Sequence, residues 1–427
     1  CCCCFHGITD YLSSCPKRLL TTACPSTGVM ATLRRLERGL WCLRPATRGG
    51  VPGASSRRTL SWSPRLRQME TTTAIYPHRR SQALPFAKTD RETAAVQDEA
   101  LYKERTVTVH TCAEFFPEWK RSRPGWKHVR ADGVDVPLPY IHTGLDRGCA
   151  GGPTVLAVHG APGTYREFDA LTPVLDVHGG ASVIVPTLPD LEFSMKTQSF
   201  WHSVEEKTDL LKKFLEAINI QEIDMVIAHS SSMYPILWLA LKEPDIRIKS
   251  AVFIAPPGCR RISQLSPFWM MKAFDEWFRV PGLQNLMCDM AVHIVRMLGK
   301  PNNNQIRGTI LSMITIMHAR YDQSEPLLRE LQRRQVPMLM LYGEKDRLID
   351  REVSAEMAAV LGVQPSQMQV YVGKDNAHAR LENPGEPVGN NEVVCFKEGT
   401  HFAFKKYPDI FNDVILKFWR KHVKASI

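Results

Sequence analysis

Three polar residues of the chain are of the types that together activate a hydroxyl group for attack on a carbonyl carbon. Ser230, Asp346 and His401 each come a few residues after a short apolar run. A serine hydroxyl is a weak nucleophile at neutral pH and needs a neighbouring base to take its proton. A histidine supplies that base, and a carboxylate fixes the histidine tautomer and stabilises the imidazolium that forms. This set predicts acyl transfer to water, with Ser230 as nucleophile, His401 as base and Asp346 as the orienting acid.

Two nearby residues compete for the roles of acid and base. Glu344 lies two residues before Asp346 and is expected to face elsewhere in the same turn. His378 is the rival to His401, and it lies in the Gly-, Pro- and Asn-rich stretch 373–391. That composition is typical of a surface loop, which favours His401.

The elements that must position these residues alternate along the chain. Continuous apolar runs predict strands at 105–112, 128–142 (a strand pair around a turn at Asp132-Gly133), 154–158, 182–186, 224–228, 250–255, 337–342 and 393–396. Helical spacing predicts helices at 205–218, 234–241 and 411–419. Such alternation favours a parallel sheet covered by helices on both faces, with active groups just beyond the carboxyl ends of the strands.

A long helical insertion interrupts this alternation. About 80 residues separate the predicted strands 250–255 and 337–342, and they are rich in Met, Phe and Trp. We interpret residues 259–335 as a cap over the sheet. The aromatic and Met side chains of residues 267–278 are expected mainly to pack the cap onto the core, and the alternative is that they line an apolar pocket for an acyl group.

Several short motifs occur in a characteristic order. An early strand is followed by His-Gly-Ala-Pro-Gly at 159–163, a late strand by Gly-Glu-Lys-Asp at 343–346, and the last strand by Gly-Thr-His-Phe at 399–402. The chain order Ser, Asp, His, each after a strand, completes the pattern. Over residues 105–427 the sequence resembles the α/β-hydrolase superfamily, and within it a branch of capped serine hydrolases seen in invertebrates.

The resemblance implies a fold and a set of roles. The expected fold is a mostly parallel central sheet with helices on both faces and a helical cap. Ser230, Asp346 and His401 would form the catalytic triad, and the backbone N–H groups of Ala161 and Ser231 would form the oxyanion hole.

The residues around Ala161 are expected to shape its loop. His159 would support the loop by hydrogen bonding, and Gly160 and Gly163 would provide its turns. Pro162 has no N–H to donate and is expected to set the course of the loop.

The turn that carries the nucleophile departs from the family pattern. That turn usually reads Gly-x-Ser-x-Gly, whereas residues 228–232 here read Ala-His-Ser-Ser-Ser. The end of the preceding strand places Ser230, not Ser231 or Ser232, at the tip. A serine at this position favours ester, thioester or amide hydrolysis, because epoxide hydrolases and haloalkane dehalogenases of the superfamily carry Asp there. The alternative is a catalytically silent, hydrolase-like protein that binds a ligand or another protein.

The amino-acid composition limits the kinds of binding partner that are expected. The 427 residues carry a formal charge of +10, but residues 1–90 hold 14 Lys and Arg against 4 Asp and Glu, so the remainder is neutral. Because the excess of basic residues lies outside the folded part, we expect the folded part to have no nucleic-acid partner. No phosphate-binding loop, dinucleotide motif or metal-type Cys and His spacing occurs, so we expect no cofactor and no metal. The expected partner is a small acyl compound, and the sequence leaves the oligomeric state open.

The first hundred residues are interpreted as segments that precede the fold. Residues 1–29 are interpreted as translated sequence upstream of the true start at Met30. Residues 30–60 contain seven Arg, no Lys and one acid, with Leu33, Leu36 and Leu40 on one helical face. This composition is typical of a mitochondrial transit peptide, which predicts the matrix; the alternative is a basic tail on a cytoplasmic protein. Residues 61–104 are interpreted as a linker, and no apolar run is long enough to predict a transmembrane helix.

Overall fold

The computed structural model describes residues 102–148, 152–262, 268–297 and 303–423. The interpretations of residues 1–29, of residues 30–60 and of most of 61–104 therefore lie outside the described residues. Among the helices that are described, none is long and apolar enough to cross a membrane.

A ten-stranded sheet forms the centre of the fold. The described strands are β1 (Arg105–Thr111), β2 (Val134–His142), β3 (Thr154–Val158), β4 (Ser182–Pro186), β5 (Glu222–Ile223), β6 (Met225–His229), β7 (Arg247–Ile248), β8 (Ala251–Ile254), β9 (Met338–Gly343), β10 (Gln369–Val372), β11 (Arg380–Asn383) and β12 (Asn391–Phe396). The sheet has the strand order β1-β2-β4-β3-β6-β8-β9-β12-β10-β11, and the seven strands from β4 to β10 in this order are mutually parallel. Strands β1, β2 and β11 are antiparallel to their neighbours, and β5 and β7 form a separate short pair.

Twelve α-helices lie within the described residues, and four of them occupy the interval between β8 and β9. The helices are α1 (Phe116–Ser122), α2 (Thr143–Asp146), α3 (Leu191–Thr197), α4 (Val204–Ala217), α5 (Met233–Lys242), α6 (Phe268–Phe278), α7 (Leu283–Met297), α8 (Asn303–Met317), α9 (Tyr321–Arg333), α10 (Arg351–Val360), α11 (Ala403–Lys406) and α12 (Pro408–His422). We call α6 to α9 the cap helices.

The sheet buries both of its faces. Alternate residues of β3 show this, because Leu156 and Val158 join one apolar cluster while Val155 and Ala157 join the other. Helices α4 and α5 pack in the first cluster, and α12 packs in the second through residues such as Trp419. Completely buried parallel strands of this kind need helices on both sides. The predicted fold class, a mostly parallel sheet covered on both faces, is confirmed.

One predicted element is wrong. Residues 128–142 were expected to form a strand pair around Asp132-Gly133, but only β2 is a strand, and it pairs with β1. Gly133 has φ +88° where the chain enters β2, and Arg130 forms an ion pair with Asp132 in the turn before it. The alternating residues of β2 therefore find their partner in a strand that lies earlier in the chain.

Candidate active site

Ser230 lies at a sharp turn between β6 and α5. Its backbone has φ +55°, in the left-handed region that residues other than glycine seldom occupy, and Ser230–Ser232 form a single 3-10 turn before the helix begins. Such a turn presents a side chain at the top of the sheet, beyond the carboxyl end of its strand.

The space that the turn requires comes from the facing loop. A Cβ atom on Gly160 would lie 3.0 Å from His229 Nδ1 and 3.1 Å from Ser230 Cβ, so glycine at position 160 lets the loop and the turn approach without displacing either side chain. Ser232 replaces the second glycine of the usual pattern, and its Oγ lies 2.8 Å from the Val158 carbonyl oxygen. The hydroxyl thus ties the start of α5 to the end of β3.

The three residues predicted to act together are in contact. His401 Nε2 lies 3.0 Å from Ser230 Oγ, and His401 Nδ1 lies 2.7 Å from Asp346 Oδ2. The other oxygen, Asp346 Oδ1, accepts the backbone N–H groups of Leu348 at 2.7 Å and Ile349 at 3.0 Å. This arrangement orients the carboxylate so that His401 donates from Nδ1 and presents the Nε2 lone pair to the Ser230 hydroxyl.

His159 fixes the loop that follows β3. Its Nε2 accepts the Leu188 N–H at 2.9 Å, so its Nδ1 carries the proton and donates to the Gly160 carbonyl at 2.6 Å. Burial lowers the pKa of His159, which favours this neutral form. In a trans peptide the C=O and N–H point in opposite directions. The Ala161 N–H, in the same peptide unit, therefore points away from His159.

Gly163 and Pro162 lie in the same loop as Ala161. A Cβ atom on Gly163 would lie 2.5 Å from His159 Nδ1, so only glycine fits beside that ring. The peptide bond between Ala161 and Pro162 is cis. Ser231, the other residue expected to supply an oxyanion donor, is buried directly after Ser230.

The fold agrees with the comparison to known protein families. The model of the family described as alpha/beta hydrolase of unknown function (DUF1057) matches residues 133–420. The chain belongs to this family. It is therefore an α/β hydrolase, as the order of its motifs predicted. A separate comparison with curated protein sequences found no match.

Solved structures similar to this α/β hydrolase include three from microorganisms. A thermophilic esterase from Thermogutta terrifontis is 16% identical, with 75% of this chain and 100% of that chain covered and a TM-score of 0.46. A carboxylesterase of Nitrososphaera gargenis is 13% identical, with 68% of this chain and 96% of that chain covered and a TM-score of 0.45. A bromoperoxidase from Bacillus anthracis is 15% identical, with 67% of this chain and 96% of that chain covered and a TM-score of 0.43.

The rival acid and base of this hydrolase lie away from Ser230. The imidazole of His378, whose side chain is 59% exposed, lies between β10 and β11 with its Nδ1 2.5 Å from Asp375. The Glu344 carboxylate forms ion pairs with Lys397 at 2.9 Å and Arg351 at 3.3 Å. The structure therefore brings His401 and Asp346, rather than these two residues, to the nucleophile.

A cap helix of the hydrolase contacts the loop after β3. The Ser312 hydroxyl of α8 donates to the Ala161 carbonyl, and a Cβ atom on Gly308 would lie 2.8 Å from the Pro162 ring. One turn further along α8, Thr315 Oγ1 accepts from Lys207 Nζ at 3.2 Å. One face of α8 thus contacts both the loop that carries Ala161 and the first turns of α4.

Sequence reasoning missed one charged residue beside the site. The Glu167 Oε1 atom lies 2.6 Å from His229 Nδ1 and accepts the Gly160 N–H at 3.3 Å. The only signal in the sequence is an acid in a short turn a few residues after Gly160, which does not distinguish it from a surface residue.

The described residues include no metal-type cluster. Among them, no group of three or more His, Cys, Asp or Glu side chains is placed to hold a metal ion. The described cysteines are free, and burial raises the pKa of each thiol, which disfavours the reactive thiolate; these are Cys112, Cys259, Cys288 and Cys395.

Proposed function

We propose that the protein is a serine hydrolase that cleaves a carboxylic ester or related acyl substrate through an acyl-enzyme at Ser230. The observation that carries the proposal is the pair of contacts made by His401, 3.0 Å from Ser230 Oγ and 2.7 Å from Asp346. A nucleophile, a base within hydrogen-bond reach and a group that orients the base are the parts that this chemistry requires.

The reaction begins when His401 Nε2 removes the hydroxyl proton as Ser230 Oγ bonds to the acyl carbon. The carbonyl oxygen becomes an oxyanion, which the N–H groups of Ala161 and Ser231 would stabilise. The imidazolium of His401 then protonates the leaving group, whose bond to the acyl carbon breaks. A water molecule then gives a proton to His401 as its oxygen bonds to the acyl carbon. The bond between Ser230 Oγ and the acyl carbon breaks, the imidazolium returns the proton to Ser230 Oγ, and the acid is released.

The acyl group is proposed to be apolar, on the basis of the cap. Cap residues such as Phe268, Met271 and Phe274 are partly buried against the large apolar cluster of the catalytic core. Other aromatic cap residues face solvent instead, with Trp269 73% and Trp277 64% exposed. The residues predicted as one crowded segment therefore divide between packing and the surface, and the proposed apolar pocket concerns the first group alone.

A substrate series tests the reaction and its specificity. Chromogenic esters of increasing acyl length, with matched thioesters and anilides, would be offered to the protein and to Ser230→Ala. The proposal predicts hydrolysis that Ser230→Ala abolishes and that increases with acyl length. Hydrolysis that persists in Ser230→Ala would contradict the proposal. Failure of the folded wild-type protein to hydrolyse any substrate of the series would also contradict it.

We also propose that residues 30–60 direct the protein to mitochondria. The support is their Arg-rich, acid-poor composition and the Arg58-Thr59-Leu60 site followed by Ser61. A precursor that starts at Met30 would be presented to isolated mitochondria. Import with a mature N-terminus near Ser61 is expected, and a full-length product that remains outside would refute the proposal.

A further inference from the structure

A second carboxylate–histidine pair lies buried beside the site. The Glu167 and His229 side chains are 7% and 2% exposed, and Glu167 Oε1 lies 2.6 Å from His229 Nδ1. His229 precedes Ser230 in the chain, and Glu167 lies in the 3-10 turn after the loop that carries Ala161. The pair therefore joins the two segments that carry the expected oxyanion donors.

Glu167 also holds the loop directly. The Gly160 N–H donates to Glu167 Oε1 at 3.3 Å, while the Gly160 carbonyl accepts from His159 on the other side. The peptide units on both sides of Gly160 are thus hydrogen-bonded to buried side chains. Loss of the carboxylate would leave the Gly160 N–H without this partner and free the loop to rotate.

His229 contacts the aromatic rings around the base, His401. Its ring centroid lies 5.0 Å from that of His401, and 5.6 Å and 5.2 Å from those of Phe402 and Phe404. These contacts enclose the His229 ring, so a shift of the ring would be transmitted to both the nucleophile and the base.

The charge of Glu167 is compensated where it is buried. Burial acts to raise the pKa of the carboxyl group, but the facing His229 and the Gly160 N–H more than offset this and hold the pKa below its ordinary value. The carboxylate therefore remains ionised against His229. Removal of one partner of such a pair leaves the other uncompensated, which is more disruptive than removal of both.

We propose that Glu167 and His229 form a positioning pair that sets the spacing between the Ala161 and Ser231 N–H groups around the oxyanion. The proposal rests on the serine hydrolase function proposed above. Neither residue is proposed to touch the substrate, and both act through the backbone of the loop and of the turn.

The test compares Glu167→Leu, Glu167→Gln, His229→Phe and the double variant Glu167→Leu/His229→Phe. Leu keeps the volume of Glu167 and removes both contacts, whereas Gln restores an acceptor for the Gly160 N–H. Since a misplaced donor weakens transition-state binding, kcat should fall about 10- to 100-fold in Glu167→Leu while KM stays within about threefold. Glu167→Gln should recover part of the loss, and the double variant should be no slower than the slower single variant.

Two further measurements separate positioning from stability. Active sites are first counted with a fluorophosphonate, so that rates refer to folded enzyme. A trifluoromethyl ketone, which forms an oxyanion adduct at the serine, should then bind more weakly in parallel with the loss of kcat/KM. Glu206→Gln is the matched control, because Glu206 is also a buried glutamate but accepts from the Trp201 and Ser203 N–H groups at the start of α4. It should alter stability and leave the affinity for the ketone unchanged.

The outcomes identify which proposal fails. If the wild-type protein reacts with neither fluorophosphonate nor substrate, the serine hydrolase function itself is wrong. If the wild-type protein is active and Glu167→Leu or, should that variant not fold, His229→Phe keeps its kcat and ketone affinity within about twofold, the positioning pair is refuted. Losses in the two single variants that add in the double variant would also refute it, because the residues would then act separately.

Discussion

Gly343 and Gly399 meet backbone to backbone at the ends of β9 and β12. A Cβ atom on Gly343 would lie 2.3 Å from the carbonyl carbon of Gly399, and the Lys345 N–H donates to the Gly399 carbonyl at 2.8 Å. This contact joins the loop that carries Asp346 to the loop that carries His401. The two glycines therefore have a role in assembling the site, not only in ending strands.

Gly343→Ala should consequently impair hydrolysis. The added methyl group has only backbone to displace, so the two loops must separate, and we expect kcat/KM to fall about tenfold or more. Gly152→Ala is the control, because a Cβ atom there would meet nothing nearer than 3.6 Å. Kinetics of the two variants with one ester substrate check the prediction, and equal activity would show that the loops tolerate separation.

Removal of the base should abolish turnover and spare the fold. Without His401 the Ser230 hydroxyl keeps its proton, so His401→Ala should lose about 10⁴- to 10⁶-fold in kcat, and Asp346→Asn roughly 10⁴-fold through the wrong tautomer. The double variant should be little slower than His401→Ala, since both changes disable one proton transfer. Single-turnover rates and thermal unfolding measure the two effects.

His378→Ala provides the matched control for the base. Its imidazole is exposed and pairs with Asp375 rather than with a residue of the site, so hydrolysis should stay within about twofold of wild type. Loss of hydrolysis in His378→Ala, with activity retained in His401→Ala, would overturn the assignment of the base.

The strained backbone at Ser230 should affect the free energy of unfolding of variants at this position. Ser230→Ala and Ser230→Gly both lose the hydroxyl, but only glycine adopts φ +55° without strain. The free energy of unfolding of the Gly variant should therefore be about 1 kcal/mol higher than that of the Ala variant. In a helix or strand, by contrast, the Ala variant is the more stable of the two. Urea denaturation of both variants decides, and a more stable Ala variant would mean that the turn is not strained.

A buried lysine should make stability depend on pH. Lys207 is 3% exposed, and burial lowers its pKa from 10.5 to about 7. Below pH 7 the folded protein must bury the charge, whereas between pH 7 and 10.5 only the unfolded chain keeps the proton, so the contribution of Lys207 to stability rises with pH.

Lys207→Met should thus stabilise the protein, by roughly 2–4 kcal/mol below pH 7, with an advantage that shrinks towards pH 10. Free energies of unfolding at pH values on both sides of 7 test this. Lys213→Met, in a half-buried position of the same helix, controls for loss of charge and should change stability little. An advantage of Lys207→Met that grows with pH would contradict the prediction.

The sequence was informative where a local pattern determines position. Ser230, Asp346 and His401 could be predicted to meet because the carboxyl ends of parallel strands share one edge of a sheet. Glu167 could not, because its contact with His229 joins segments about 60 residues apart with no periodicity to mark it. Lys207 was equally hidden, since Glu205, Glu206 and Lys207 look like the exposed face of a helix, yet the last two are buried.

Covalent labelling measures whether Ser230 is the nucleophile. Wild-type protein and Ser230→Ala would be incubated with a fluorophosphonate, followed by intact-mass measurement and peptide mapping. We predict one adduct per chain on Ser230, none in Ser230→Ala, and labelling of His401→Ala that is slower by orders of magnitude. Failure of folded wild-type protein to react, or an adduct on Ser231 or Ser232, would contradict the account.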